Sequence, residues 1–442
     1  MAGSVFDSPL LGRLFATGEV GRLFSDTAEV RAMLLVEGNL AKVQGDLGVI
    51  PEVSARAISR ATMEIQVDPA ALADETGRNG VSVPALVAAF RKEMSAPEHA
   101  QYVHWGATSQ DIMDTALMLR LRQVLSHAEA DIREIIESLA SLADQHAATP
   151  MAARTYGQHA TPTTFGAVVA SWGQPICDLL DELPDLRSRA LLVSLSGAAG
   201  TSAALGEQAV ETRAGLATAL GLGDPGRSWH TDRGPVLRIS NWLTRVAVAL
   251  GKMGEDLYAL SQSDVAEVSL GAAGGSSTMP QKQNPVGPSA MVALARYVAG
   301  LAGTLDLAAM QKGQRDGAAW FSEWMTLPQL ALATASCLQT AKKLASQIAP
   351  RSDAMAATLN LSGGTIHAEA LSFALAAHLP RPEAQAAVKA LCQTALSSGR
   401  SLQDLAQEKW PETDFSGLFQ GTNGSGLATA EAKAFADRVR HI

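Results

Sequence analysis

The side chains here that can do chemistry gather in a few polar breaks between strongly helical stretches. The clearest break is GGSSTMPQKQNP, at residues 274–285. Its two glycines permit backbone angles closed to other residues, while Ser276, Ser277, Lys282 and Asn284 add hydroxyls, a cation and an amide. That set suits an anion, and loops so placed often carry function; taken alone, the string also reads as a hinge between helices. A second break, YVHWGATSQDIMDT at residues 102–115, sets Thr108, Ser109 and Gln110 directly before a long helical pattern. Ser109 or Asp111 is placed to cap that helix, and the unsatisfied N–H groups of a helix start serve a cap and an anion equally. A third crowds Arg154, Thr155, Tyr156, Gln158 and His159 into one turn after Pro150.

Weaker signals lie elsewhere. Asn79 and Ser82 sit in the turn-forming string GRNGVSVP, and the small residues at 196–206 suit close backbone approach. His230 and Arg233 precede a helical pattern. Gln311, Gln314, Arg315, Glu323 and Trp324 form a mixed patch that by itself reads as a solvated helix face.

The elements that must position these groups are helices. The chain has 442 residues, enough for two or three domains, with 47% hydrophobic and only 5% aromatic content. Alanine and leucine dominate, and they lose little side-chain freedom in a helix. One helix is expected over about 25–48, with Asp26 as cap and Gly48 and Pro51 as the stop. Leu121, Leu125, Ala128, Ile132, Ile135, Leu139 and Leu142 alternate by four and three, which makes residues 111–145 the seam of a long bundle. A further helix is expected over about 236–270, running straight into the 274–285 loop, with Pro288 in the first turn of the next. From about 351 onward the helices shorten, broken by Gly363, Gly364, Pro380 and Pro382.

A net charge of −9 without a basic stripe argues against a nucleic-acid partner. An anionic substrate must then be drawn by local cations, not by the overall field. Cys177, Cys337 and Cys392 are odd in number and widely spaced, which fits buried thiols in a reducing compartment and neither disulfides nor a zinc site. The first residues lack the pattern of a secretory signal, and no uninterrupted apolar stretch is long enough to cross a bilayer, so a cytoplasmic enzyme is expected.

The string from Gly275 through Ser276, Ser277, Met279, Pro280 and Lys282 to Asn284 resembles the signature loop of the fumarase/aspartase superfamily. The resemblance covers nearly the whole chain. Within the superfamily, YVHWGATSQDIMDT, RTYGQHATPTTFG, SWHTDRG, SSTMPQKQNPVG and AWFSEWMTLP are similar to strings of the bacterial 3-carboxy-cis,cis-muconate cycloisomerases. The resemblance implies an all-α fold of three domains, an N-terminal helical domain (1–107), a central long-helix bundle (108–350) and a C-terminal helical domain (351–442). It implies a homotetramer whose active sites draw on three subunits, a small anionic polycarboxylate substrate, and no cofactor, metal, nucleic acid or membrane. The activity implied is intramolecular addition of a carboxylate to a double bond, forming a lactone.

By the same resemblance Ser276 exchanges the proton with carbon, with Lys282 stabilising its alkoxide; Tyr156, as a hydrogen-bonding wall or an acid, completes the catalytic set. His104, Thr108, Ser109, Gln110, Arg154, Thr155, Gln158, His159, Ser277, Met279, Asn284 and Arg315 would bind substrate. Two departures stand out. Tyr156 occupies a position where many lyases of the superfamily carry histidine and the bacterial cycloisomerases tend to carry tryptophan. Around 311–315 only the arginine of a Glu-His-Glu-Arg string is kept. The second reading, a fumarate-releasing C–N or C–O lyase using the same loop, has Tyr156 in place of histidine against it, and a non-catalytic helical-bundle protein is the third.

Overall fold

The pattern at residues 25–48 becomes, in a computed structural model of the chain, the helix Asp26–Asp46. Ser25 caps it, not Asp26. The Ser25 backbone is extended and its hydroxyl accepts from the Ala28 N–H at 3.3 Å, which moves Asp26 into the first turn, where its charge complements the helix dipole. Gly38 and Gly45 lie two turns apart on that helix. A Cβ on Gly38 would come within 2.2 Å of the Thr62 hydroxyl and one on Gly45 within 2.3 Å of the Ala55 methyl, so both glycines let helix Glu52–Glu64 pack against the backbone.

The structure describes residues 3–271, 274–275, 278–279, 281–420 and 423–442. Helices dominate, and the chain divides into two compact units. The first comprises Met1–Asp131, Leu179–Val248 and Ala293–Gln339; the second comprises Ile132–Asp178, Ala249–Val292 and Thr340–Ile442. The long helix runs Ser109–Gln145 and contributes to both. Its seam from Leu121 to Leu139 is buried, as the four-three spacing requires.

In the first unit, apolar residues of Asp26–Asp46, Glu52–Glu64 and Val83–Met94 form one core with Ile112, Ala116 and Leu119 of the long helix. In the second, Trp172 is buried and donates to the Asp256 carboxylate at 2.6 Å. A separate small core around Leu371, Val388, Leu402 and Phe415 holds the short C-terminal helices together. Cys177 and Cys337 are buried, and Cys392 is half-buried.

Two features differ from the sequence expectations. The helix before the glycine-rich loop is Gly234–Leu260, so the chain reaches the loop through turns and a short strand, Val268–Ser269. The helix after the loop, Val286–Ala308, does carry Pro288 in its first turn. It is also long and apolar enough to cross a membrane by length and composition, at a mean hydropathy of 1.3, although Arg296 and Asp306 interrupt it. The second difference is that residues 150–164 form an antiparallel hairpin, Pro150–Thr155 with Gln158–Thr164.

Candidate active site

In the first unit the site is built on the start of the long helix. Thr108 precedes its first residue, and the Asp111 carboxylate accepts the Thr108 N–H at 3.0 Å, one half of a capping box. Asp111 is fully buried and does more than cap. Its Oδ1 accepts from the Ser194 hydroxyl at 3.0 Å, the Ser196 N–H at 2.8 Å and His230 Nε2 at 2.7 Å, while Oδ2 also takes the Gly197 N–H at 2.9 Å. Five donors offset the cost of removing a carboxylate from water. Asp111 thereby ties the helix start to the small-residue loop at 194–197, where Gly197 adopts φ +71°. This is an anchor, with no acceptor face left for substrate.

Gln110, 1% exposed, carries the order outward. Its amide nitrogen donates to the His230 carbonyl at 2.9 Å and to Asp114 at 3.2 Å, which fixes its oxygen toward Arg315 Nε at 2.8 Å. The Arg315 guanidinium also reaches the Thr108 hydroxyl at 3.4 Å. An exposed cation is thus oriented by a buried amide, beside the N-terminus of a 37-residue helix. The structure brings Thr108, Gln110 and Arg315 together, with Ser109 half-buried beside them. The Gln311 amide, oxygen and nitrogen both buried, has no hydrogen-bond partner among the described residues, and so adds an open donor and acceptor to the segment that carries Arg315.

Behind Gln110 lies a buried ionic cluster that sequence reading missed. Arg233 forks onto Asp114 at 2.7 and 3.0 Å and onto Glu323 at 2.8 and 2.6 Å, with its guanidinium 4.9 Å from the Trp229 ring centroid. Burial alone would weaken the Arg233 charge, but two carboxylates outweigh it and raise its pKa. Glu323 is shifted upward, by burial first and by the Asp114 charge. Glu323 is only 2% exposed, so the expected solvated face at 311–324 is in this part an interior one.

His104 has its backbone at φ +65° and bonds the buried Glu37 carboxylate through Nδ1 at 2.6 Å. Burial opposes the imidazolium, but the Glu37 bond and charge, with Asp111 beyond, hold its pKa above the ordinary value. A raised histidine pKa favours the folded state fully below about 6.5, the unfolded value, and that contribution is lost as pH rises through the folded value. Thermal midpoints measured against pH should therefore fall across this window in the wild type, and the fall should vanish in Glu37→Gln.

In the second unit, the hairpin turn is Tyr156–Gly157, both at positive φ, +52° and +72°. That is the geometry of a two-residue primed turn, unusual for a bulky aromatic. Thr155, Tyr156, Gln158 and His159 are all exposed at the tip. Arg154 turns instead onto the fully buried Glu267, with two bonds of 2.8 and 2.9 Å. The glycine-rich loop is closed at its base by Gly274–Gly275 pairing with Gln283–Asn284. Lys282 and Met279 are exposed, Asn284 is half-buried, and the Lys282 N–H donates to the Met279 carbonyl at 3.0 Å. Ser276 and Ser277 lie outside the described residues.

Comparison with known proteins extends over the same elements. The lyase family matches residues 19–300. A 3-carboxy-cis,cis-muconate cycloisomerase of Pseudomonas aeruginosa is 38% identical over 92% of this chain and 89% of its own. A nitrosuccinate lyase of Streptomyces davaonensis is 34% identical over 91% of this chain and 87% of its own. The crystal structure of 3-carboxy-cis,cis-muconate lactonizing enzyme from Pseudomonas putida aligns with a TM-score of 0.90 at 33% identity, covering 98% of this chain and 99% of that one. With its helical architecture, its capped TSQD turn and its signature loop, the chain belongs to the fumarase/aspartase superfamily of lyases.

Proposed function

We propose that this chain is a cycloisomerase that closes 3-carboxy-cis,cis-muconate into 4-carboxymuconolactone, a step in the breakdown of aromatic compounds. The observation that carries this reading is the near-full-length match to the cycloisomerase of P. aeruginosa. One substrate carboxylate adds its oxygen across a carbon–carbon double bond, and the neighbouring carbon takes up a proton. Atoms balance without oxidant or reductant, so the reaction asks for no redox cofactor. Negative charge builds as an aci-carboxylate beside the protonated carbon, and donors aimed at it should provide most of the rate enhancement. Arg315, the Ser109 amide, Lys282 and Asn284 are assigned that work. Ser276 exchanges the proton, with Lys282 and the start of helix Val286–Ala308 stabilising its alkoxide.

The same reading makes the enzyme a cytoplasmic homotetramer of three-domain subunits, with substrate held by turns from different subunits. Two features support it. The hairpin tip presents Tyr156 and its neighbours outward at a strained turn, and only 33% of the most apolar window of Val286–Ala308 is buried within the chain. In this arrangement Tyr156 walls the substrate and donates a hydrogen bond to it.

The test is an ultraviolet assay with 3-carboxy-cis,cis-muconate, run beside succinyl substrates. Loss of the diene absorbance is the expected result. The similarity to nitrosuccinate lyase favours a second reading, a lyase using the same loop; fumarate release with no diene loss would select it.

A further inference from the structure

One to three turns along the long helix from Gln110, the first unit has a half-open cavity of about 580 Å³. Its walls are largely apolar, with Met33, Leu72, Leu117, Trp324 and Leu327 among them. Asp114 and Glu323 also reach it, but their carboxylates are committed to Arg233. The unusual group is Arg120. Its side chain is 9% exposed, its guanidinium lies 5.9 Å from the Phe24 ring centroid, and its charged partner is Glu29, at 3.4 Å from Nη1. Its Nε is buried with no hydrogen-bond partner among the described residues.

A guanidinium carries five N–H donors and keeps its proton in proteins, so burying one with a single long contact leaves donors unmet. Burial lowers the Arg120 pKa and Glu29 only partly restores it, which marks a charge short of acceptors. An arginine with an unmet Nε on the wall of an apolar cavity matches one kind of molecule: a flat hydrophobic body ending in a carboxylate, which can accept two parallel N–H bonds. The volume falls in the range of small-molecule sites. A tricarboxylate such as the proposed substrate fits poorly, because Asp26, Glu29, Asp114 and Glu323 line the same space and would repel its other charges.

We propose that this cavity is a second small-molecule site, separate from the Thr108–Gln110–Arg315 cluster, which takes an aromatic monocarboxylate with its carboxylate on Arg120 and its ring against the apolar walls. The inference is independent of which reaction the enzyme catalyses.

Benzoate is the probe, with benzamide as its uncharged counterpart, both titrated into the purified full-length protein by calorimetry. Benzoate should bind saturably, one molecule per chain, with a dissociation constant below about 1 mM, and benzamide at least about tenfold more weakly. Arg120→Gln should weaken benzoate by about tenfold or more, and Leu117→Trp, which fills the cavity but keeps Arg120, should abolish binding. Arg315→Gln should leave it unchanged. Absence of saturable binding by about 10 mM would overturn the proposal. So would equal binding of benzamide, or benzoate binding that survives Arg120→Gln and Leu117→Trp but is lost in Arg315→Gln, which would place the probe at the Arg315 cluster instead.

Discussion

Ser276→Ala should lower turnover of 3-carboxy-cis,cis-muconate by about 100-fold or more, the usual size of a lost acid–base group. A free serine is a poor acid or base at neutral pH, so its assigned role depends on its surroundings. The loop that carries it is closed by the Gly274–Gly275 and Gln283–Asn284 ladder, which returns the chain to the start of helix Val286–Ala308. Exposed Lys282 lies on the same short segment, adding a cation to a helix N-terminus. Lys282→Met should therefore share much of the loss. The effect belongs in kcat, with KM changed little, because the proton exchange stabilises the transition state and not the bound substrate. Near-full activity in Ser276→Ala, with an unchanged circular dichroism spectrum, would remove the serine from the mechanism.

Arg233→Met should destabilise the first unit by about 3–5 kcal/mol, the range for breaking a buried ion pair by deleting one partner. The variant leaves Asp114 and Glu323, 1% and 2% exposed, facing each other without a cation. It also loosens Gln110, which bonds Asp114 and holds Arg315. A large fall in the urea midpoint is the expected measurement, with lost activity in whatever fraction remains folded. Arg233→Lys keeps the charge but cannot reproduce a fork with bonds to two carboxylates, so it should fall between wild type and Met. A Met variant as stable as wild type would mean that the two carboxylates neutralise each other by sharing a proton, consistent with the raised Glu323 pKa.

Much of the candidate site was readable because its signals are local. The caps, glycines and prolines that end helices act within a few residues, and the groups at 102–115, 154–159 and 274–285 stand out as polar breaks in apolar periodicity. Where a cap has near neighbours of similar chemistry, the choice among them needed coordinates: Ser25 and not Asp26 caps the first long helix, and Asp111 serves the second from its first turn. The hairpin at 150–164 was hidden for a related reason. Strand pairing depends on a partner across the ladder, and Tyr156–Gly157 lacks the asparagine or aspartate that usually announces such a turn.

The sequence by itself determined the predominantly helical character and the long seam from Leu121 to Leu139, because helix periodicity is a property of neighbouring residues, and the signature loop was legible through its resemblance. Only the tertiary structure decided which charges are buried together. Arg233 meets Asp114 across 119 positions and Glu323 across 90, and Asp111 collects donors from Ser194, Ser196, Gly197 and His230. Desolvation makes each of these groups costly alone and stable only in company, and no local pattern records which distant partner will supply the opposite charge.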